Sequence, residues 1–258
     1  MSILDILNFK MTPIYIDLNC DVGEGVGNEK ELLPFISSCN IACGGHTGDK
    51  ASMANVVQLA KENKVLAGAH PSYPDVANFG RVSMDMDEKV FTESVNVQIR
   101  SLVEVLNEAD VQLHHIKPHG ALYNDLAKDH QLALCFLKAV KNYKNSTYLY
   151  VPYASVIERL AVKEGFRVKY EGFADRNYEE DYSLVSRKHP KALIIDKGDV
   201  LEHIIEMVND KKVTTINGKR LSIFVDTLCI HGDTPSALEI VLYLTQELPN
   251  HNICIKSE

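Results

Sequence analysis

The chain has 258 residues, 45% hydrophobic and 24% charged, with 27 basic residues against 35 acidic ones and a formal net charge of −8. That length and apolar content support one large core, and α/β barrels of this size fold undivided, so a single domain over residues 1–258 is expected. The acidic balance offers no attraction for polyanions, which argues against nucleic acid or an anionic membrane as partner and for a small-molecule substrate.

The opening stretch MSILDILNFKM is apolar but carries Asp5 and Lys10, with no basic first region and no small-residue cleavage site, so neither export nor a membrane span is indicated. Residues 1–13 read as an extension ahead of the first strand. Six cysteines are spread singly with no CxxC pair. They read as buried thiols of a reducing cytosol, which makes the expected location cytoplasmic.

The first strand-like run is Ile14–Leu18, and polar residues of period two continue it as Asp17, Asn19 and Asp21. A strand running on through them aims all three at one face, where stacked carboxylates either bind a divalent cation or act as acid and base. Turn capping by Asp21 before Gly23 and Gly25 is the alternative. The second run, Asn40–Cys43, leads into Gly44-Gly45-His46-Thr47-Gly48-Asp49 and a helix over Lys50–Lys64. Free amides in such a turn cradle a carboxylate or phosphate, although GxxxxGK[ST] occurs nowhere in the chain.

The third run, Val65–Ala69, ends on His70 and is followed by Asn78-Phe79-Gly80-Arg81 and a helix over Asp87–Ala109. The fourth, Gln112–Ile116, ends on Lys117-Pro118-His119, which places a positive charge for an oxyanion beside a proton donor or acceptor. An ion pair between Lys117 and one of the aspartates is the competing use. A helix over Gln131–Asn142, a strand over Tyr148–Val151, a helix over Ser155–Glu164 and a strand over Val168–Phe173 follow.

The polar stretch Asp175–Lys191 lacks periodicity and reads as a loop over a site. Within it Arg176 and Arg187 join Arg81 as candidates for a clamp on a substrate carboxylate. A helix over Gly198–Asn209 comes next. Val213–Phe224 carries Asn217-Gly218, a hairpin signal. The seventh run, Leu221–Ile230, ends on His231 and Asp233 before a helix over Pro235–Glu247. Asp49, Asp87, Asp199 and Thr234 are the expected helix caps.

Strand and helix alternate nearly throughout, which implies a parallel sheet, and seven strands whose polar ends are so widely spread fit an α/β, irregular (β/α) barrel. His46, His70, His119 and His231 each stand directly after an apolar run, where carboxyl ends of barrel strands meet. A metal, if present, takes ligands from separate strands, with Asp17, Asp21, His46 and His70 as candidates.

Asp17-Leu18-Asn19 with Gly23-Glu24-Gly25, Asn40-Ile41-Ala42-Cys43-Gly44, Gly68-Ala69-His70-Pro71-Ser72 through Phe79-Gly80-Arg81, Lys117-Pro118-His119-Gly120 with Tyr123, Phe173-Ala174-Asp175-Arg176 and Cys229-Ile230-His231-Gly232-Asp233 together resemble the LamB/YcsF family. The resemblance runs from about Ile16 to about Leu248. It implies a barrel like those of glycoside hydrolases and deacetylases, and the ATP-dependent opening of 5-oxo-L-proline to L-glutamate in concert with 5-oxoprolinase subunits B and C. ATP, with Mg, is the implied cosubstrate; a bound divalent metal and a homo-oligomer stay open. In that setting Asp17, Asn19, Asp21, Lys117 and His119 surround the scissile carbonyl. Gly44, His46, His70, Arg81, Tyr123, Asp175, Arg176, Arg187, His231 and Asp233 hold substrate. Gly45, where relatives carry an aromatic residue, is expected to widen the pocket. A stand-alone metal-dependent amidase or sugar deacetylase, and a non-catalytic lactam-binding subunit, are the rival readings.

Overall fold

The computed structural model describes residues 12–234 and 236–256. Strand β1 (Ile14–Val22) shows how the barrel is built: Ile16, Leu18, Cys20 and Val22 join the apolar core outside the sheet, while Asp17, Asn19 and Asp21 alternate with them. Period-two alternation thus sorts one strand into a core face and a polar lumen face.

Parallel neighbours β2 (Ser38–Ala42), β3 (Leu66–His70), β4 (His115–Ile116), β5 (Tyr148–Pro152) and β6 (Arg167–Phe173) follow in order. An antiparallel hairpin, β7 (Lys212–Thr214) with β8 (Arg220–Ser222), precedes β9 (Thr227–Ile230). β9 pairs with both β6 and β1, so seven parallel strands close into a barrel. The register sets Asn19 beside Ser38 on one side and Cys229 on the other, and Asp21 beside Asn40.

Besides a single turn over Glu29–Leu32, the helices are α1 (Lys50–Glu62), α2 (Glu88–Glu108), α3 (Gly120–Leu126), α4 (His130–Ala139), α5 (Val156–Lys163), α6 (Lys197–Ile205) and α7 (Ala237–Glu247). In α2 the buried positions Phe91, Val95, Ile99, Leu102 and Leu106 recur every three or four residues, the spacing that gives a helix one apolar face. Each such side chain contributes roughly 1.5–3 kcal/mol when fully buried. Asp49 and Asp87 cap α1 and α2 as expected.

The expected barrel is present, and several boundaries differ. Only two residues of the Gln112–Ile116 run pair as β4. Leu221–Ile230 divides into β8 and β9, because Asp226 turns to accept the Tyr170 amide and breaks the run. Asp196, not Asp199, caps α6, and α7 starts from Ser236 with no side-chain cap. Helix α3 and a short β10 (Ile253–Ile255), which pairs with the first residues of β1, are additions to the elements expected from sequence. The anticipated extension lies largely outside the described residues. No helix among the described residues is long and apolar enough to cross a membrane.

Candidate active site

The lumen is polar from its floor upward, and its groups satisfy one another. Asp17 accepts from the hydroxyls of Ser38, at 2.8 Å, and Thr227. Above it, the Asn19 amide donates to Glu171 at 3.0 Å and to Thr227 at 2.8 Å, and the Asn40 amide donates to Asn19 and Asp21 at 2.7 and 2.8 Å. His115 Nε2 donates to Asn40 at 2.7 Å. A Cβ on Gly68 would lie 2.1 Å from that nitrogen, so β3 carries glycine where the His115 ring crosses the lumen.

Lys117 forms the next layer, 2% exposed, with its ammonium 2.9 Å from Asp21, 3.0 Å from Glu171 and 3.0 Å from the Cys229 sulfur. Burial opposes the Lys117 charge, but Asp21 first, then the Cys229 sulfur and Glu171, outweigh it and raise the pKa well above the ordinary value. The same pairing works in reverse on Asp21: burial pushes its carboxyl up, yet His70 and Lys117 together hold it well below the usual range. An ion pair at this depth is kept by mutual compensation.

At the rim, Glu24 from the loop after β1 meets His46 at 2.9 Å and His119 at 3.2 Å. His70 stands 3.0 Å from His119 and 3.5 Å from Asp21. Burial outweighs the Glu24 contact at His46 and lowers its pKa to about 4, and burial likewise lowers that of His119. Both rings are therefore neutral at pH 7. Close to Asp21, His231 Nδ1 donates to Asp175 at 3.0 Å, and Thr234 also holds that carboxylate at 2.5 Å. Burial disfavours the Asp175 charge, but His231 and these hydrogen bonds lower its pKa.

These groups surround a cavity of about 420 Å³ at the carboxyl ends of the strands. Its lining includes Asp21, Glu24, His70, Lys117, His119 and His231, roofed by residues 184–188 of the long polar loop. Arg176 lines it too, 6% exposed, donating to the backbone carbonyls of Ala192 and Val185. No carboxylate lies within ion-pair distance of Arg176 among the described residues. Burial, with Arg187 nearby, lowers its pKa to about 10, which leaves it charged at pH 7. The cavity lining thus combines carboxylates, imidazoles and guanidiniums.

Asp21, Lys117, His119, His70, Arg81, Tyr123, Arg176, Arg187 and His231 all line this one cavity. Asp17 and Asn19 lie beneath it. Arg81 pairs with Asp233 at 2.5 Å, and Arg187 approaches the same carboxylate at 3.7 Å, so Asp233 braces two arginines. Asp175 holds His231 from behind.

The glycine turn is spent on itself: the Gly44 amide donates to the Thr47 carbonyl at 2.7 Å, and the turn stands outside the cavity lining. Gly45 does not widen the cavity either. A Cβ there would lie 2.3 Å from both Gln98 and Ser72, so the missing side chain lets these two pack against the main chain. The expected metal set also changes. Asp17 is below reach and His46 faces Glu24 and Ser72, whereas Asp21, Glu24, His70 and His119 bring four donor atoms within 4.8 Å of one another. Sequence reasoning missed Glu24 and Glu171 as site groups. Glu171 was visible as the one acid in VKYEGF, two residues before Phe173 and therefore on the same face.

A closed parallel barrel with its polar groups gathered at the carboxyl ends of the strands defines the class, a β/α-barrel protein with an enzyme-like cavity. A CE4 family pseudoenzyme, in a mutant form with restored activity, has the same fold at a TM-score of 0.50 and 8% identity, covering 94% of this chain and 65% of that one. The chain belongs to the LamB/YcsF family, whose pattern it matches over residues 16–258. It is 41% identical over 248 residues to the A subunit of 5-oxoprolinase from Thermococcus sibiricus, covering 94% of this chain and 97% of that one. The lactam utilization protein from Thermus thermophilus superposes at a TM-score of 0.87 with 34% identity, covering 95% of this chain and all of that one.

Proposed function

We propose that this chain is the lactam-opening subunit of an ATP-dependent 5-oxoprolinase, converting 5-oxo-L-proline to L-glutamate with subunits B and C. The observation that carries this reading is Arg176, a buried guanidinium on the cavity wall with no carboxylate partner among the described residues. Burying such a charge is costly unless an anion completes it, and the substrate carboxylate is that anion. With the carboxylate on Arg176, the ring carbonyl is directed to the Lys117 ammonium, which lines the same cavity and stabilises the oxyanion.

His231 fits the proton transfer better than His119. Both His119 nitrogens are engaged, Nε2 with the Phe79 carbonyl at 3.0 Å and Nδ1 within the rim cluster. The His231 Nδ1–H is fixed by Asp175, which leaves the Nε2 lone pair to take a proton from the attacking water and return it to the departing ring nitrogen. The products are the γ-carboxylate and the free amine of glutamate. An unstrained lactam resists hydrolysis, and ATP with Mg, handled by subunits B and C in this reading, supplies the activation of its carbonyl.

Glutamate release from 5-oxoproline is the test, with the chain alone and then with subunits B and C and ATP. In the complete mixture, Arg176→Met raises KM about 10- to 150-fold, the equivalent of losing a charge-assisted hydrogen bond worth roughly 1.5–3 kcal/mol. His231→Gln lowers kcat by at least about 100-fold. Turnover within twofold of wild type for both variants overturns the assignment.

A further inference from the structure

The rim cluster has a proton arrangement that its own geometry fixes. His70 Nδ1 lies 2.7 Å from the Lys117 carbonyl, and His119 Nε2 lies 3.0 Å from the Phe79 carbonyl. A carbonyl only accepts, so each of those nitrogens carries the hydrogen. The other nitrogen of each ring, His70 Nε2 and His119 Nδ1, turns inward, and these two atoms face each other at 3.0 Å. Two carboxylates converge on the same point. Glu24 Oε1 is 3.2 Å from His119 Nδ1 and 3.8 Å from His70 Nε2, and Asp21 Oδ2 is 3.5 Å from His70 Nε2. Four atoms of metal-ligand type thus meet within 4.8 Å of one another.

We propose that Asp21, Glu24, His70 and His119 form a binding site for one divalent transition-metal cation of the Zn²⁺ type. Donors at Zn–N and Zn–O lengths of about 2.0–2.2 Å around a tetrahedral ion sit about 3.4 Å apart, and the contacts above span 3.0 to 3.8 Å. Two imidazoles with two carboxylates suit Zn²⁺, Co²⁺ or Mn²⁺ rather than the all-oxygen shell preferred by Mg²⁺ or Ca²⁺.

The surroundings have the form of an outer shell. Each imidazole is oriented by a main-chain carbonyl, His46 Nε2 holds Glu24 at 2.9 Å, and Lys117 and Asn40 take the other Asp21 oxygen at 2.9 and 2.8 Å. Charge points the same way, since Asp21 and Glu171 share a single ammonium, Lys117, while Glu24 faces imidazoles. All four donors border the cavity, so the ion has a route in from solvent. This site does not rest on the lactam reading, because its occupancy is measured without turnover.

The test is titration of the metal-stripped chain with Co²⁺ at pH 7.5, followed by visible absorption, with circular dichroism confirming the fold of each variant. One equivalent is expected to bind and to be displaced by Zn²⁺, and Glu24→Gln and His119→Asn each weaken it at least about 100-fold. Nitrogen-15 spectra of the wild-type histidines provide a reading that needs no variant. They show His70 protonated at Nδ1 and His119 at Nε2, with the opposite nitrogen of each ring shifting on Zn²⁺ addition. No stoichiometric binding up to about 1 mM Co²⁺, undiminished binding by both variants, or a bridging proton between the two rings that Zn²⁺ does not displace would each overturn the proposal.

Discussion

Lys117→Met is the substitution that most directly probes how the lumen is held together. Methionine fills most of the lysine stem's volume, so the main loss is the ammonium, which leaves Asp21 and Glu171 facing each other without their shared cation. Removing one partner from a buried ion pair costs about 3–5 kcal/mol, because the remaining charge stays desolvated. For a chain of this size that corresponds to a fall in Tm of roughly 6–20 °C. Urea unfolding followed by circular dichroism measures the loss at pH 7.5. The pH dependence has a definite sign. Asp21 titrates below its unfolded value, so the stability it lends is complete above about pH 4 and is lost as pH falls through its depressed folded value. The gap between wild type and Lys117→Met therefore narrows on acidification. Adding Asp21→Asn recovers part of the loss at neutral pH, with a coupling of about 1–3 kcal/mol. A penalty below about 1 kcal/mol at pH 7.5, or a gap that stays constant with pH, would refute the view that this ammonium compensates buried carboxylates.

Two further outcomes follow from the same geometry. Gly68→Ala forces a methyl group into the His115 ring and destabilises the fold by about 1–3 kcal/mol in urea unfolding, with the His115 resonances shifted; unaltered resonances would show that the ring has room to move. Because His46 is buried neutral with a pKa of about 4, its contribution to stability is complete above its unfolded value near 6.5 and drains as pH falls toward 4. His46→Gln accordingly flattens the stability profile between those values, and a profile as steep as wild type would exclude His46 as a source.

The period-two run Asp17, Asn19, Asp21 announced a polar face on the first strand, and alternation of strands with helices announced the barrel. Depth was not legible. Sequence spacing shows which side a residue takes, whereas the level at which Asp17 lies depends on register with Ser38 and Thr227, residues 21 and 210 positions away. Arg176 was legible as one of three candidate clamps on a substrate carboxylate, whereas its burial without a carboxylate partner among the described residues follows from tertiary packing. Glu24 read as part of a glycine turn because its partners His46, His70 and His119 arrive on three other segments. β10 has only three residues, too few for a periodic signal, and the glycine turn misled because its amide is satisfied internally.

The orientation of His70 and His119 is set by the main chain at Lys117 and Phe79. Every residue type supplies a carbonyl, so no substitution at those two positions removes the groups that fix the ring protons. The side chain at position 79 can change while the pattern persists, provided the backbone keeps its path, including the left-handed conformation at Phe79 with φ of 54°. Alanine scanning would score position 79 as unimportant for a role that its peptide group performs, and only a backbone edit such as an amide-to-ester replacement at the Phe79–Gly80 bond reaches it.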